Sequence, residues 1–273
     1  MKQQYADFHF HTDFSPDSTA PMEAQILAAQ KRGVQFLCPT DHWDLVDEEN
    51  PKLKPPLSLW QSHLWGLKEK YQETQDFSLF FGVEIGEGYV RPDLVQAAID
   101  GLPLDFILAS VHAVKSTDFA QGIGIFYALQ GETSHQAFLQ FFQEYFAALL
   151  RQSQETFYDS FGHINYPFRY LPPDSLIKIE NYEEEIRAVL ENLLKNDKVF
   201  EVNTTRGQTV TDWIPILKWY QDLGGKYVTI GSDAHQTKDM STGIVEAVAL
   251  LKSLGFSSYV YYEKRQRKEI PIL

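Results

Sequence analysis

Short apolar runs alternate with longer amphipathic stretches along most of this chain, and this alternation limits the possible folds more than any other feature. The runs at 34–39 and 105–111 are typical of buried strands, whereas the stretches at 135–151 and 183–196 have the periodicity of helices. Regular strand–helix alternation indicates parallel strands joined by helical crossovers. About seven such units in 273 residues favour a barrel, so we predict an α/β fold of that kind.

The bounds of the predicted elements follow from the apolar pattern and from the turn and capping residues between the runs. The predicted strands cover residues 5–10, 34–39, 77–83, 105–111, 158–162, 199–202, 227–230 and 259–262. The predicted helices cover residues 19–31, 59–72, 91–99, 135–151, 183–196, 212–223 and 242–254.

The length of the chain favours one domain. A chain of 273 residues is near the upper limit for one hydrophobic core, and no linker rich in Gly or Ser divides it, so we expect a single domain over residues 1–273. Two segments, 44–56 and 115–134, are long enough to act as lids over a site rather than as simple connectors.

Charge and cysteine content narrow the partners and the compartment. Lys and Arg total 24 against 37 for Asp and Glu, and the net charge of −13 repels phosphate backbones and anionic lipids, so we expect no nucleic-acid or membrane partner. The single cysteine, Cys38, excludes an intramolecular disulfide. With no apolar run typical of a signal peptide or a membrane span, the sequence predicts a cytoplasmic protein. The oligomeric state stays open.

Histidines mark the ends of the predicted strands. Of the eight histidines, all except His63 and His135 lie at or just after a strand end. The strands of a parallel barrel all end on one rim, so the remaining six are expected to meet at one opening. Imidazoles clustered in an accessible cleft are typical of a transition-metal site. These six are His9, His11, His42, His112, His163 and His235.

Three carboxylates accompany the histidines. Asp17 lies in the loop after the first strand, Glu84 ends the third strand, and Asp233 follows the seventh. One tetrahedral ion needs about four ligands, so nine candidate ligands indicate two or three divalent ions that share a carboxylate. We expect these ions to be Zn, Mn or Fe. A single His-x-His or Gly-His pair would more often be a packing or surface feature, and only the whole set supports a metal centre.

The motifs that contain these residues resemble, in order, those of the PHP (polymerase and histidinol phosphatase) superfamily of metal-dependent phosphoesterases. The motifs are Asp7-x-His9-x-His11, Thr40-Asp41-His42, Gly82-x-Glu84, Ser110-x-His112, Gly162-His163 and Asp233-x-His235. The resemblance implies a distorted (β/α)7 barrel of the PHP type with three ions at its C-terminal rim. It implies one ion held by His9, His11, Glu84 and Asp233, a second by Glu84, His112 and His163, and a third by Asp17, His42 and His235.

Two further stretches resemble the monofunctional histidinol-phosphatase branch of this superfamily. They are SFGHINYPFRY at 160–170 and EVNTTR at 201–206. In that branch an arginine in each stretch binds the substrate phosphate, so the resemblance implies this role for Arg169 and Arg206. A guanidinium group suits a phosphate dianion because it donates two parallel hydrogen bonds.

We therefore predict a metal-dependent phosphomonoesterase that hydrolyses L-histidinol phosphate to L-histidinol and inorganic phosphate in histidine biosynthesis. Glu84 would bridge two ions, and Asp233 and Asp41 are the two candidates for protonating the leaving alcohol. Carboxylates near the rim that would accept the substrate ammonium group are Asp44, Glu87 and Asp118.

Two alternatives stay open. A PHP-type phosphoesterase would act on another substrate, such as a phosphodiester, a nucleotide or a phosphotyrosine, although the net charge of −13 argues against nucleic acid. A non-catalytic metal-binding module would have lost some ligands, and all nine positions are filled here.

Overall fold

The computed structural model describes residues 2–45, 54–71, 77–114, 135–171, 175–205, 207–208 and 210–273. All seven predicted helices are present, with ends within three residues of the predicted ones. The helices are α1 Met22–Lys31, α2 Leu57–Tyr71, α3 Pro92–Ile99, α4 His135–Gln152, α5 Glu183–Lys195, α6 Ile214–Asp222 and α7 Ile244–Ser253. Among the described residues, no helix combines the length and the apolar character needed to cross a membrane.

The strands are short, and the second and third predicted strands are each followed by a further short strand at or beyond their end. The strands are β1 Ala6–Asp7, β2 Phe36–Leu37, β3 His42–Asp44, β4 Ser78–Leu79, β5 Gly82–Gly86, β6 Phe106–Ser110, β7 Ser160–Phe161, β8 Val199–Asn203, β9 Val228–Gly231, β10 Ser258–Glu263 and β11 Gln266–Pro271. β2 lies within the second predicted strand, whereas β3 lies beyond its end and was not predicted. β4 lies within the third predicted strand, and β5 begins there and extends to Gly86. β2 and β4 belong to one sheet, and β3 and β5 belong to the other.

All strands from β1 to β9 pair in parallel. One sheet has the order β3-β5-β6-β7-β8-β9, and a second has the order β1-β2-β4. The register places His42 opposite Glu84 and Ser160 opposite Val199. The predicted α/β fold with parallel strands is therefore confirmed.

Backbone hydrogen bonds connect the segment after β1 to β9, the last of the parallel strands. The Phe8 N–H donates to the Ile230 carbonyl at 3.0 Å, and the Asp233 N–H donates to the His9 carbonyl at 2.8 Å. On its other side β1 pairs with β2. The chain segment that carries His9 therefore lies between β9 and β2, in the order that a seven-stranded barrel requires.

The helices bury one face each against the strands, as α5 illustrates. Its buried residues recur at positions i, i+3, i+4 and i+7, which places them on one side of the helix. Burying each such aliphatic side chain contributes roughly 1.5–3 kcal/mol. Glutamates in the first turn and Lys195 in the last turn match the helix dipole. The buried residues are Ile186, Val189, Leu190 and Leu193.

The chain ends in an antiparallel hairpin of β10 and β11 whose second strand the sequence did not predict. Lys264 and Arg265 form its two-residue turn with φ of 51° and 62°, where Asn-Gly is the usual signal. Contacts from outside the hairpin hold this turn: Asp105 accepts the Lys264 N–H at 2.8 Å, and Asp159 pairs with the Arg265 side chain. The turn thus depends on tertiary contacts that a local pattern does not contain.

Candidate metal centre

The nine predicted ligands converge where the parallel strands end. They lie in or shortly after β1, β3, β5, β6, β7 and β9 and are brought to the same rim. Five of them are buried: His9, His11, His42, Glu84 and His163. Asp17 is the most exposed, with 55% of its side chain accessible, and His235 follows with 23%. Five groups of at least three His, Asp or Glu residues have ligand atoms within 4.8 Å of one another in the described part of the chain.

Glu84 lies at the centre of these groups. Its Oε1 lies 2.9 Å from Nε2 of His163 and 3.2 Å from Nε2 of His112. Its Oε2 lies 3.4 Å from Nε2 of His9 and 3.6 Å from Nε2 of His11, and has no hydrogen-bond partner among the described residues. Oε2 also lies 3.0 Å from Nδ1 of His42. The two oxygens thus face different imidazoles, as a carboxylate shared between ions would.

The spacing of the first predicted ligand set fits a tetrahedral ion. His9 Nε2 and His11 Nε2 lie 3.0 Å apart, and Oδ1 of Asp233 lies 3.7 and 3.4 Å from them. Ligands placed tetrahedrally at 2.0–2.1 Å from zinc are about 3.3 Å apart, close to all these distances. Two imidazole nitrogens facing each other at 3.0 Å also need a proton or a cation between them.

The third predicted set is more open. Oδ2 of Asp17 lies 3.1 Å from Nε2 of His235 and 3.6 Å from Nε2 of His42. These imidazoles hold the pKa of Asp17 below its usual range, although burial opposes this. The His11 ring stacks on both, with centroid distances of 4.2 and 4.0 Å, so this set adjoins the first.

The carboxylates give the cluster a strong preference for positive charge. Burial alone would lower the pKa of His9, but Glu201, Glu84 and Asp233 together raise it well above its usual value. In the same way, burial is outweighed at His112, where carboxylates raise the pKa to about 10. A cluster with this charge pattern is satisfied by protons or by metal cations.

Asp41 supports the loop that follows His11. Its Oδ1 accepts hydrogen bonds from the Thr12 N–H at 2.6 Å and the Ser15 hydroxyl at 2.7 Å, and its Oδ2 accepts one from the Thr12 hydroxyl at 2.7 Å. The Ser15 oxygen also lies 2.9 Å from Nδ1 of His11. Protein donors therefore occupy both oxygens of Asp41, which was one of the two predicted proton donors.

Two of the carboxylates expected to meet the substrate at the rim are instead buried beside the histidines. Asp44 lies 3.4 Å from Nδ1 of His112 and 3.6 Å from Nδ1 of His42. Glu87 accepts the backbone N–H of His112, and burial raises its pKa to about 7, with Asp44 adding to the effect. Asp118 and most of the two predicted lid segments, 46–53 and 115–134, lie outside the described residues.

Arg169 brings unpaired donors to the same opening. Its Nη1 donates to Oδ2 of Asp233 at 3.1 Å, and its side chain is only 7% exposed. Its Nε and Nη2 have no hydrogen-bond partner among the described residues. Buried guanidinium donors are costly without an acceptor, so this arrangement suits an anion. Arg206, the other predicted phosphate-binding residue, lies outside the described residues.

Sequence reasoning assigned no role to Glu201 or Asn203, which also belong to the site. Oε1 of Glu201 lies 2.7 Å from Nδ1 of His9, and Nδ2 of Asn203 lies 3.3 Å from Oδ2 of Asp233. A signal was present, because these two polar residues alternate with apolar ones in β8, whose five residues are all buried. A buried charge inside such a run indicates a partner.

The chain is an α/β protein with a cluster of His, Asp and Glu residues able to hold metal ions, and comparison with known families identifies its class. The sequence model of the PHP domain family matches residues 7–205, so the chain belongs to this family. The match covers the segment from the first strand through β8, which carries most of the ligand positions described above.

Its relatives within the family include histidinol-phosphatases. The chain is 29% identical over 256 residues to the histidinol-phosphatase of Lactococcus lactis, covering 92% of this chain and 91% of that protein. It is 28% identical over 266 residues to a probable histidinol-phosphatase of Clostridium acetobutylicum, covering 96% and 98%. A crystal structure of the L. lactis histidinol phosphate phosphatase, complexed with zinc, L-histidinol and phosphate, superposes with a TM-score of 0.82 at 26% identity, covering 98% of this chain and 100% of that one.

Proposed function

We propose that this protein is a metal-dependent phosphomonoesterase that hydrolyses L-histidinol phosphate to L-histidinol and inorganic phosphate. The observation that carries the proposal is the pairing of two features at one opening. Glu84 contacts imidazoles on both sides, and Arg169 points unpaired donors into the same region. The relatives support the choice of substrate, because the lactococcal enzyme binds L-histidinol, phosphate and zinc in a fold that matches this one.

The residues present fit the ions. Orphaned ligand atoms, with Oε2 of Glu84 among them, and ligand spacings near 3.3 Å supply the donor set that zinc prefers. Bound ions would supply an activated water and would neutralise charge on the phosphoryl group. We assign the first ion to His9, His11, Glu84 and Asp233, the second to Glu84, His112 and His163, and the third to Asp17, His42 and His235.

The side chains of this chain supply positioning and charge. Arg169 binds the phosphoryl oxygens through Nε and Nη2, while its bond to Asp233 fixes the guanidinium plane. Arg206 is proposed as the second phosphate-binding residue on the strength of its motif. Both act on charge that grows on the non-bridging oxygens as the ester bond breaks.

Of the two candidates for delivering a proton to the leaving alcohol, we propose Asp233, as a relay for a proton from water. Although burial opposes it, His9, His11 and Arg169 hold the pKa of Asp233 well below its usual range, so the carboxylate stores no proton of its own. It contacts Arg169 and lies among the ligand histidines, so it faces the reacting ester. Asp41 is enclosed by Thr12 and Ser15, and we propose that it holds the His11 loop in place.

A substrate panel tests the proposed function. The zinc-loaded protein is expected to hydrolyse histidinol phosphate with a kcat/KM at least about 100-fold above that for an unrelated phosphomonoester, since recognition of the whole substrate contributes to its orientation. A dinucleotide and a phosphotyrosine peptide are the other arms. Faster turnover of either would replace the proposal with the corresponding PHP-type phosphodiesterase or phosphatase.

Zinc binding at neutral pH is expected to release protons. The carboxylates raise the pKa values of His9, His42 and His112, so in the metal-free protein these imidazoles keep their protons to a higher pH than free imidazole does. Metal binding requires the neutral imidazoles, and the affinity therefore falls as pH decreases. Calorimetric titration with zinc in buffers of different ionisation enthalpy gives the number of protons released. A binding enthalpy that is the same in every buffer would contradict the expectation.

The metal, the cellular location, the domain organisation and the partners follow from the sequence and the relatives. Zinc is the ion in the lactococcal structure, and Mn or Fe in its place stays a prediction. The cytoplasmic location, the single domain over residues 1–273 and the absence of a nucleic-acid or membrane partner also stay predictions.

A further inference from the structure

Glu201 is a buried carboxylate that the hydrolysis mechanism does not use. It lies in the middle of β8, is 1% exposed, and has the apolar neighbours Phe200 and Val202 along the strand. A carboxylate in such a place costs several kcal/mol unless its oxygens are bonded. Its Oε1 lies 2.7 Å from Nδ1 of His9, and its Oε2 accepts the backbone N–H of His163 at 3.1 Å.

The first of these contacts fixes the form of the His9 imidazole. An ionised carboxylate only accepts hydrogen bonds, so Nδ1 of His9 must be the donor. In the neutral ring, Nε2 then keeps its lone pair. That nitrogen lies 3.4 Å from Oε2 of Glu84 and 3.7 Å from Oδ1 of Asp233. Glu201 thus selects the tautomer that presents a free lone pair to the cluster.

Oε2 of Glu201 has a second partner besides the His163 N–H, the side-chain amide of Asn203. Asn203, two residues further along β8, donates from Nδ2 to Oε2 of Glu201 at 3.1 Å and to Oδ2 of Asp233 at 3.3 Å. Its own Oδ1 accepts the Thr205 N–H at 2.8 Å, which fixes the orientation of the amide. Glu201 and Asn203 on β8 therefore contact His9, His163 and Asp233, which follow β1, β7 and β9.

The neighbouring strand makes room for Glu201. A side chain at Gly231 in β9 would collide with Oε1 of Glu201 and with Cβ of His9. Glycine at this position permits the two groups to meet.

We infer that Glu201 is a positioning residue of the metal centre: it orients His9 and, through the backbone N–H of His163, holds His163 beside Glu84. The inference rests on the proposed metal centre and not on the identity of the substrate. A carboxylate of this kind typically contributes 10- to 100-fold to metal affinity.

The test compares zinc affinity in Glu201→Gln, Glu201→Ala and Asp105→Asn. Asp105 is the matched control, since it is also a buried carboxylate that accepts backbone N–H groups, those of Phe81 and Lys264, at the opposite end of the strands. Affinity is measured by competition with a chromophoric chelator, and the thermal midpoint of each metal-free protein is measured in parallel. The glutamine oxygen can still accept a hydrogen bond from His9, but its NH₂ group then faces the donors of His163 and Asn203. Glu201→Gln therefore keeps only part of the hydrogen bonding that Glu201→Ala removes.

The expected result is a loss of affinity for the tightest zinc ions of about 10-fold or more in Glu201→Gln and of about 100-fold in Glu201→Ala. Asp105→Asn is expected to lower only the thermal midpoint. Wild-type zinc affinity in both Glu201 variants would overturn the inference. A wild-type protein that binds no zinc would overturn it together with the proposed metal centre.

A measurement on the unchanged protein covers the case in which the variants do not fold. In zinc-loaded wild-type protein labelled with ¹⁵N-histidine, long-range ¹H–¹⁵N correlations are expected to show the proton of His9 on Nδ1. A proton on Nε2 would overturn the inference, because the contact with Glu201 would then not set the tautomer.

Discussion

Glu84→Gln is expected to lower kcat/KM for histidinol phosphate by about 1,000-fold. The substitution keeps the size of the side chain but removes the negative charge that faces His9 and His11 on one side and His112 and His163 on the other. It also turns an NH₂ group toward Nε2 atoms that lie 2.9–3.6 Å from the present oxygens. Under the proposed assignment two ions lose a common ligand, so metal content and activity are expected to fall together. Metal analysis and steady-state kinetics on one sample measure both.

Glu69→Gln is the matched control for this variant, because Glu69 lies on the exposed side of α2 and the same chemical change is made there without touching the cluster. Its metal content and kinetics should equal those of the wild type. Glu84→Gln with a normal metal content and a kcat/KM within tenfold of the wild type would contradict the assignment of Glu84 as the shared ligand.

Arg169→Ala is expected to lower kcat/KM by about 100-fold while leaving the metal content unchanged. The variant removes the two buried donors that have no partner among the described residues, and with them the contact to Asp233. Because the same donors would bind the product, the inhibition constant for inorganic phosphate should rise. Arg169→Lys keeps the charge without the planar pair of donors, and its loss should be intermediate.

Arg151→Ala provides the control for removal of an arginine. Arg151 is in the last turn of α4, where its guanidinium lies over the Tyr89 ring, 4.7 Å from the centroid. Its kinetics should match those of the wild type. Phosphate inhibition that is equal in Arg169→Ala and wild-type protein would remove Arg169 from the phosphate site.

Much of the fold was predictable because local patterns and tertiary packing agree. The helix α5 has its apolar stripe, its acidic first turn and its basic last turn within one continuous segment, and its predicted bounds differ by one residue from the observed ones. The hairpin of β10 and β11 was only half predicted, because the Lys264–Arg265 turn depends on Asp105 and Asp159 from distant parts of the chain.

The site, too, was predictable in part from the sequence. Strand ends in a parallel fold meet at one rim, so the position of His9 or Glu84 in the sequence is enough to predict that they approach each other. What Asp44 and Glu87 do depends on side-chain direction and burial. Spacing alone placed them at the substrate rim, whereas they lie buried beside His42 and His112. Glu201 was missed because its partner, His9, is far away in sequence and adjacent only through the closing of the strands.

The most direct test of the account is turnover of histidinol phosphate before and after complete removal of metal. The protein is stripped with a chelator, its metal content is measured, and zinc is returned in known amounts. We expect no turnover by the metal-free protein and recovery that rises with the number of zinc ions bound per chain. Full turnover by protein in which no metal is detected would contradict it.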